Sequence, residues 1–304
     1  MPQRLAAIDV GSNTILLLVA EPDSSGGLTA TTEAEDQPRL AAGLGTTGRL
    51  SKAAMDRALQ SLVRMRDLAA REGATRIDAV ATAAVREAEN GAEFLDRVRR
   101  AGIPLRLISP EVEAELAYLS AAHHFPGAEA TLVADIGGGS MELVGARKDR
   151  VVLTASLPLG AVRLTELGLS SHALREYIRS RLSTVLVDHA WQGAQLVGSG
   201  GTFANLASMV LARRPHRTGD SIQGLRVSLE ELEQVLSMLE AMSVEERRTV
   251  PGLRPERADI IVAGLTVADE LLGLVQGREV AVNRYGLREG LLLEMVGLVK
   301  HQSP

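Results

Sequence analysis

One short phrase occurs twice in this chain. Residues 5–18 read Leu-Ala-Ala-Ile-Asp9-Val-Gly11-Ser12-Asn13-Thr14-Ile-Leu-Leu-Leu, and residues 132–145 read Leu-Val-Ala-Asp135-Ile-Gly137-Gly138-Gly139-Ser140-Met-Glu142-Leu-Val-Gly. Asp9 aligns with Asp135, Gly11 with Gly137 and Thr14 with Ser140, at an offset of 126 residues. Each copy reads as an apolar strand, a carboxylate near its end, a tight turn of small residues and a second apolar strand. A duplicated strand–turn–strand phrase predicts two related domains. Two such turns facing each other would form a phosphate clamp with acidic groups available to a metal.

The rest of the chain supports that division. Its 304 residues allow about two domains, each with its own core. Paired strands are expected at 4–10 and 15–20, a third strand near 28–34, a helix over 51–72, a strand at 77–81, a helix near 91–101, a strand at 105–108 and a helix after Ser109-Pro110. His123-His124-Phe125-Pro126-Gly127 interrupts that helix and marks the expected boundary, giving domains of about 1–125 and 126–304. Beyond it the pattern restarts, with strands near 130–136, 140–146 and 151–156, a helix over 171–188, a strand at 194–198 and a helix at 202–212. Residues 213–224 read as a loop. Helices follow at 228–241 and 256–274, then a strand at 278–282 and a last helix near 286–300, expected to return to the first domain. Hairpins followed by alternating strands and helices in both halves predict an α/β protein of two similar lobes with a cleft between them.

Composition removes several function classes. The chain has no cysteine, so thiol catalysis, thiolate metal sites and disulfides are absent. A net charge of −5 and an aromatic content of 2% argue against a nucleic-acid surface. No run of about 18 apolar residues is present and no signal-peptide pattern opens the chain, so no membrane association is expected and the expected address is the cytoplasm.

The chemistry points to anions. Glycines in a turn permit positive φ and let N–H groups approach a ligand, and successive N–H groups form a nest for an anion. Ser12, Asn13, Thr14 and Ser140 add side-chain donors. A third Gly-rich turn, Gly198-Ser-Gly200-Gly201-Thr202, runs from a strand into a helix, whose N-terminus also favours anions. It reads equally well as a plain strand–helix connection. No Gly-Lys-Ser/Thr follows it and it lacks the Gly-x-Gly-x-x-Gly spacing, which excludes a Walker loop and a dinucleotide fingerprint.

The order of these turns resembles the actin-like superfamily of two-lobed, ribonuclease H-like phosphotransferases and ATPases. More specifically, the chain resembles the exopolyphosphatase and guanosine-pentaphosphate phosphohydrolase family. The phrases that carry this are Ile8-Asp-Val-Gly-Ser-Asn-Thr14, Ala81-Thr-Ala-Ala-Val-Arg86-Glu-Ala-Glu-Asn90, Ile108-Ser-Pro-Glu-Val-Glu113-Ala114, Asp135-Ile-Gly-Gly-Gly-Ser-Met-Glu142, Ser156-Leu-Pro-Leu-Gly-Ala-Val-Arg163-Leu-Thr165, Gly198-Ser-Gly-Gly-Thr202 and Tyr285-Gly-Leu-Arg288-Glu-Gly290. The resemblance implies Mg²⁺-assisted hydrolysis of a terminal phosphoanhydride with release of orthophosphate, Glu113 being the candidate base. The family phrase at that point carries a glycine and a glutamate where this chain has Pro110 and Val112, and this makes Glu111 a rival to Glu113.

Phosphoanhydride hydrolysis needs an oriented water, a metal gathering phosphate oxygens, and donors for the developing charge. Glu113 would activate the water. Asp135 and Glu142 would hold the metal, with Asp9 contributing directly or through water. Arg86, expected on a loop after the 77–81 strand, either pairs with phosphate or forms a surface ion pair with a nearby Glu, and Arg163 and Arg288 admit the same two readings. Asn90 reads as a helix cap. The Arg213-Arg214-Pro-His216-Arg217 cluster reads as a solvated loop or the lining of a polyanion channel. His172, His189 and His301 have no partner at ligand spacing, and Trp191 is expected to pack under the 171–188 helix.

The resulting expectation is an exopolyphosphatase acting on polyphosphate. The alternatives are a guanosine pentaphosphate 5′-phosphohydrolase, a non-catalytic nucleotide or alarmone sensor, and an actin-like kinase, for which no acceptor-sugar signature is seen. Longer relatives carry a C-terminal extension, so a chain of this length is expected to favour short polymers. A homodimer is also expected.

Overall fold

The computed structural model describes residues 3–23, 27–148, 150–187, 190–214 and 221–297, which form two compact units. The first unit begins with β1 (Arg4–Val10), β2 (Ile15–Pro22) and β3 (Leu28–Asp36). It continues through α1 (Leu44–Thr47), α2 (Lys52–Arg71), β4 (Ala74–Ala81), α3 (Ala83–Glu87), α4 (Gly91–Arg100) and β5 (Leu105–Leu107) to α5 (Pro110–His124). The boundary falls inside α5, between Ser120 and Ala121.

The second unit holds β6 (Ala130–Ile136), β7 (Met141–Arg147), β8 (Arg150–Leu157), α6 (Ala161–Glu166), α7 (Ser171–Leu182), β9 (Gln195–Ser199) and α8 (Gly200–Arg213). β10 (Arg226–Ser228), α9 (Leu229–Glu240), α10 (Val244–Arg247), a 3₁₀ turn at Pro255–Arg257, α11 (Ile261–Leu274) and β11 (Glu279–Asn283) complete it. The chain then re-enters the first unit as α12 (Gly286–Met295).

The two sheets repeat one design. The first has the order β3-β2-β1-β4-β5, with β1, β2 and β3 antiparallel and β4 and β5 running parallel to β1. The second contains the same five-strand series as β8-β7-β6-β9-β11, with β10 added antiparallel at its edge. One irregularity matches as well: β2 slips register against β3 between Val19 and Ala20, and β7 slips against β8 between Gly145 and Ala146, the same offset of 126 residues. Each unit is an actin-like α/β lobe.

Apolar alternation and helix caps account for most of these elements. Ile8, Ile15 and Leu17 are fully buried in the first core with Phe94. Leu132, Ile136 and Met141 are fully buried in the second core with Phe203. Full burial of each such side chain contributes about 1.5–3 kcal/mol. Ser51 caps α2 by accepting from the Ala54 N–H at 3.2 Å, and the buried stripe Met55, Leu62, Met65 faces the sheet. Trp191 packs in the second core with Leu174, Ile178 and Leu182 of α7.

Some elements differ from expectation. Helix α7 stops at Leu182 rather than 188, and the helix expected over 256–274 divides into the 3₁₀ turn and α11. The short helices α1, α3, α6 and α10 were not expected, because four to six residues are too few to show a helical period. In α10 a capping box of Ser243 and Glu246 does the nucleating. Asn90 precedes α4 but makes no side-chain cap. Its amide instead clamps the Leu50 backbone, accepting from the N–H at 2.8 Å and donating to the carbonyl at 2.9 Å. His189, His216, Arg217 and His301 lie outside the described residues.

Candidate active site

The turn between β1 and β2 closes with Gly11 N–H donating to the Thr14 carbonyl at 3.0 Å. The carbonyls of Ser12 and Asn13 are both taken from behind: Ala41 N–H donates to Ser12 at 2.9 Å and Arg39 N–H to Asn13 at 3.1 Å. The peptide groups are thereby oriented, and the N–H groups of Ser12 and Asn13 have no backbone acceptor among the described residues. Ser12, Asn13 and Thr14 are all buried.

The turn between β6 and β7 repeats this arrangement. Gly137 N–H donates to the Ser140 carbonyl at 3.0 Å. The start of α6 engages the carbonyls from behind. Ala161 N–H donates to Gly137 at 2.9 Å, Val162 and Arg163 N–H donate to Gly138 at 2.9 and 3.1 Å, and Arg163 Nε donates to Gly139 at 2.7 Å. The N–H groups of Gly138, Gly139 and Ser140 have no backbone acceptor among the described residues. Gly160 permits this approach, because a Cβ there would overlap the backbone of Gly138 and Gly139. Both turns are therefore nests whose donors are turned away from the supporting backbone.

The reason for glycine differs from the one the sequence suggested. Neither Gly11 nor Gly137 has positive φ, and a Cβ on either would stand 3.3 or 3.4 Å from the carbonyl that closes its turn. Positive φ occurs in the third turn, at Gly200 with φ +83.

The acidic residues are distributed unequally. Asp135 and Glu142 are directly opposite in the β6–β7 ladder, whereas the matching position opposite Asp9 is Leu16. Glu142 is buried and accepts from Ser156 Oγ at 3.0 Å. Two carboxylates opposed across an antiparallel pair repel one another, and the pair fits a hard divalent cation. Among the described residues no group of three or more His, Asp or Glu side chains gathers into a metal cage.

Glu113 stands in the first turn of α5, and Glu111 precedes it. Arg86 lies on the short helix α3, not on a loop. Its Nη1 donates to the Ile108 carbonyl at 3.1 Å and to Glu113 Oε2 at 3.3 Å. The surface-pair alternative for Arg86 thus has a named partner, and that partner is the candidate base, with its side chain 12% exposed. Glu111 is fully exposed, and a hydrogen bond from Ser109 holds its carboxyl below the ordinary carboxylate range, which makes it a weaker base than an ordinary glutamate.

The third turn opens α8 at Gly200, two residues earlier than expected. Thr202 Oγ1 points back to the Ile136 carbonyl at 3.5 Å, and a Cβ on Gly200 would stand 2.5 Å from Asp135 Oδ1. A Cβ on Gly201 would overlap the guanidinium of Arg257, a residue not singled out in the sequence. Arg257 is 6% exposed, and its Nε makes no hydrogen bond. Burial and, after it, the charge of nearby Arg254 lower its pKa to about 10 against the opposing pull of Asp135, so it stays a cation at neutral pH. A guanidinium against the positive end of a helix is electrostatically unfavourable, and Asp135 offsets only part of that cost.

The Ppx/GppA phosphatase family model matches residues 18–299. The chain belongs to the Ppx/GppA phosphatase family. It is 31% identical over 302 residues to exopolyphosphatase 1 of Mycobacterium leprae and to that of Mycobacterium tuberculosis, covering 95% of this chain and 88% and 87% of those relatives. Two crystal structures align over 99% of this chain and 100% of theirs. One is the Aquifex aeolicus Ppx/GppA family member, with a TM-score of 0.82 at 29% identity. The other is an exopolyphosphatase from Cytophaga hutchinsonii, with a TM-score of 0.89 at 28% identity. Family membership makes the protein a hydrolase of phosphorus-containing anhydrides, an enzyme class that uses a divalent metal. Among the described residues no helix is long and apolar enough to cross a membrane.

Proposed function

We propose that the protein is an exopolyphosphatase, hydrolysing the terminal phosphoanhydride bond of linear inorganic polyphosphate and releasing orthophosphate. The observation that carries this reading is the pair of nests at residues 11–14 and 137–140, each with its carbonyls bonded from behind and its N–H groups available to phosphate oxygens. Glu113 accepts the proton of the attacking water as its oxygen bonds to the terminal phosphorus. The bridging oxygen leaves with the shortened chain. Arg86 holds the Glu113 carboxylate through one Nη1 hydrogen bond and retains further N–H donors for phosphate.

Asp135 and Glu142 would hold Mg²⁺, which when bound gathers phosphate oxygens and offsets their charge. Arg257 and the start of α8 add a cation and a helix N-terminus that an anion would satisfy.

Replacement Glu113→Gln tests the assignment. Turnover on polyphosphate should fall by about 10²–10⁴-fold, with the melting temperature unchanged. Phosphate release near the wild-type rate would overturn it.

A further inference from the structure

Three consecutive residues of α12 are buried against elements that carry candidate catalytic groups. A Cβ on Gly290 would overlap the carbonyl of Leu116 in α5, so the two helices meet backbone to backbone. Leu116 is one turn beyond Glu113. Two turns beyond Glu113, Ser120 Oγ donates to Glu289 Oε2 at 2.5 Å, and both residues are buried. Glu113, Leu116, Ala117 and Ser120 share one face of α5 by spacing. Arg288, also buried, donates from Nη1 to the Leu17 carbonyl of β2 at 3.0 Å and lies 3.7 Å from Glu33 of β3. Helix α12 itself packs along β1 and β2.

We propose that Arg288, Glu289 and Gly290 are positioning residues that fix the helix bearing Glu113 against the hairpin bearing the 11–14 nest. The inference rests on the reading of Glu113 as the base. Buried carboxylates and guanidiniums stabilise a fold less than apolar residues of the same volume would, so their presence here fits a demand for placement. Glycine at 290 sets the interhelix distance, the Ser120–Glu289 bond sets the rotation of α5, and Arg288 anchors α12 to the strands. Arg86, bonded to both Ile108 and Glu113, holds the base directly. A displacement of about 1 Å at such a group lowers turnover about 10²-fold.

The test compares wild type, Gly290→Ala, Glu113→Gln and the double variant on long-chain polyphosphate, with the melting temperature of each. Gly290→Ala should lower kcat by about 10²-fold while KM stays within about twofold. In the Glu113→Gln background it should cost less than about threefold, because the two act on one step. Unchanged kcat in folded Gly290→Ala, or a full additional loss in the double variant, overturns the positioning role. A fully active Glu113→Gln enzyme overturns the base assignment instead. Should Gly290→Ala fail to fold, the Glu289 pair decides. Glu289→Gln keeps an acceptor for Ser120 and should retain kcat within about threefold, whereas Glu289→Ala should lose at least about tenfold. Equal kcat in the two variants overturns the proposal.

Discussion

The β1–β2 and β6–β7 turns share one backbone plan and differ in what completes it. In the first unit the nest is supported by the turn segment Arg39–Ala41, whose Arg39 sits at φ 51, and the nest itself carries the polar side chains of Ser12, Asn13 and Thr14. In the second the support is the start of α6, the turn is almost all glycine, and a carboxylate pair stands behind it where the first unit has Asp9 and Leu16. Duplication preserved the strand order and a register slip, while each copy acquired different chemistry. The first unit carries the Arg86–Glu113 pair and the second the Asp135–Glu142 pair.

Substitutions at matched positions sharpen that contrast. The largest effect is expected at the carboxylate pair. Asp135→Asn or Glu142→Gln should lower turnover by about 10²-fold or more and raise the Mg²⁺ concentration needed for half-maximal activity, since a bound metal supplies several kcal/mol of charge stabilisation. Leu16→Met, at the position equivalent to Glu142, should leave the Mg²⁺ dependence unchanged. An identical metal response at both positions would remove the distinction between the units.

The supports should differ next. Gly160→Ala forces a Cβ into Gly138 and Gly139, so stability should drop by about 1–3 kcal/mol and activity should fall with it, measured by thermal unfolding and phosphate release. Gly11→Ala meets only the Thr14 carbonyl at 3.3 Å and should be the milder change. A destabilised Gly11→Ala with an intact Gly160→Ala would contradict the account of how the nests are held.

Arg257→Met separates ligand binding from stability. Loss of a charge-assisted contact of about 1.5–3 kcal/mol should raise KM for polyphosphate at least about tenfold, whereas the melting temperature should hold or rise because a buried cation is gone. A large fall in melting temperature with unchanged KM would make Arg257 a structural residue only. The smallest effect is expected for Glu111→Gln. The exposed carboxylate should tolerate it within about twofold in kcat, and a loss matching that of Glu113→Gln would revive Glu111 as the base.

The duplicated scaffold was legible because Asp9 and Asp135 end strands of uniform apolar residues, and turns of small residues follow both at one spacing. The supports were not legible. Arg39–Ala41 and Ala161–Arg163 act mainly through backbone N–H groups, which every residue type possesses, and only Gly160 and the Arg163 side chain, which donates to the Gly139 carbonyl, leave a compositional trace. Arg257 was hidden for a similar reason, since nothing local in Arg254-Pro-Glu-Arg257-Ala-Asp259 distinguishes a buried guanidinium from a solvated one. Glu142 was recognised as an acidic candidate, but its direct opposition to Asp135 depends on the strand register.

The most direct measurement is the chain-length distribution of long polyphosphate during hydrolysis by the purified enzyme with Mg²⁺, with guanosine pentaphosphate and ATP assayed in parallel. Removal of terminal phosphoryl groups predicts that orthophosphate accumulates from the start while the remaining chains shorten progressively. Intact polyphosphate beside hydrolysed guanosine pentaphosphate or ATP, or internal fragments without orthophosphate, would contradict it.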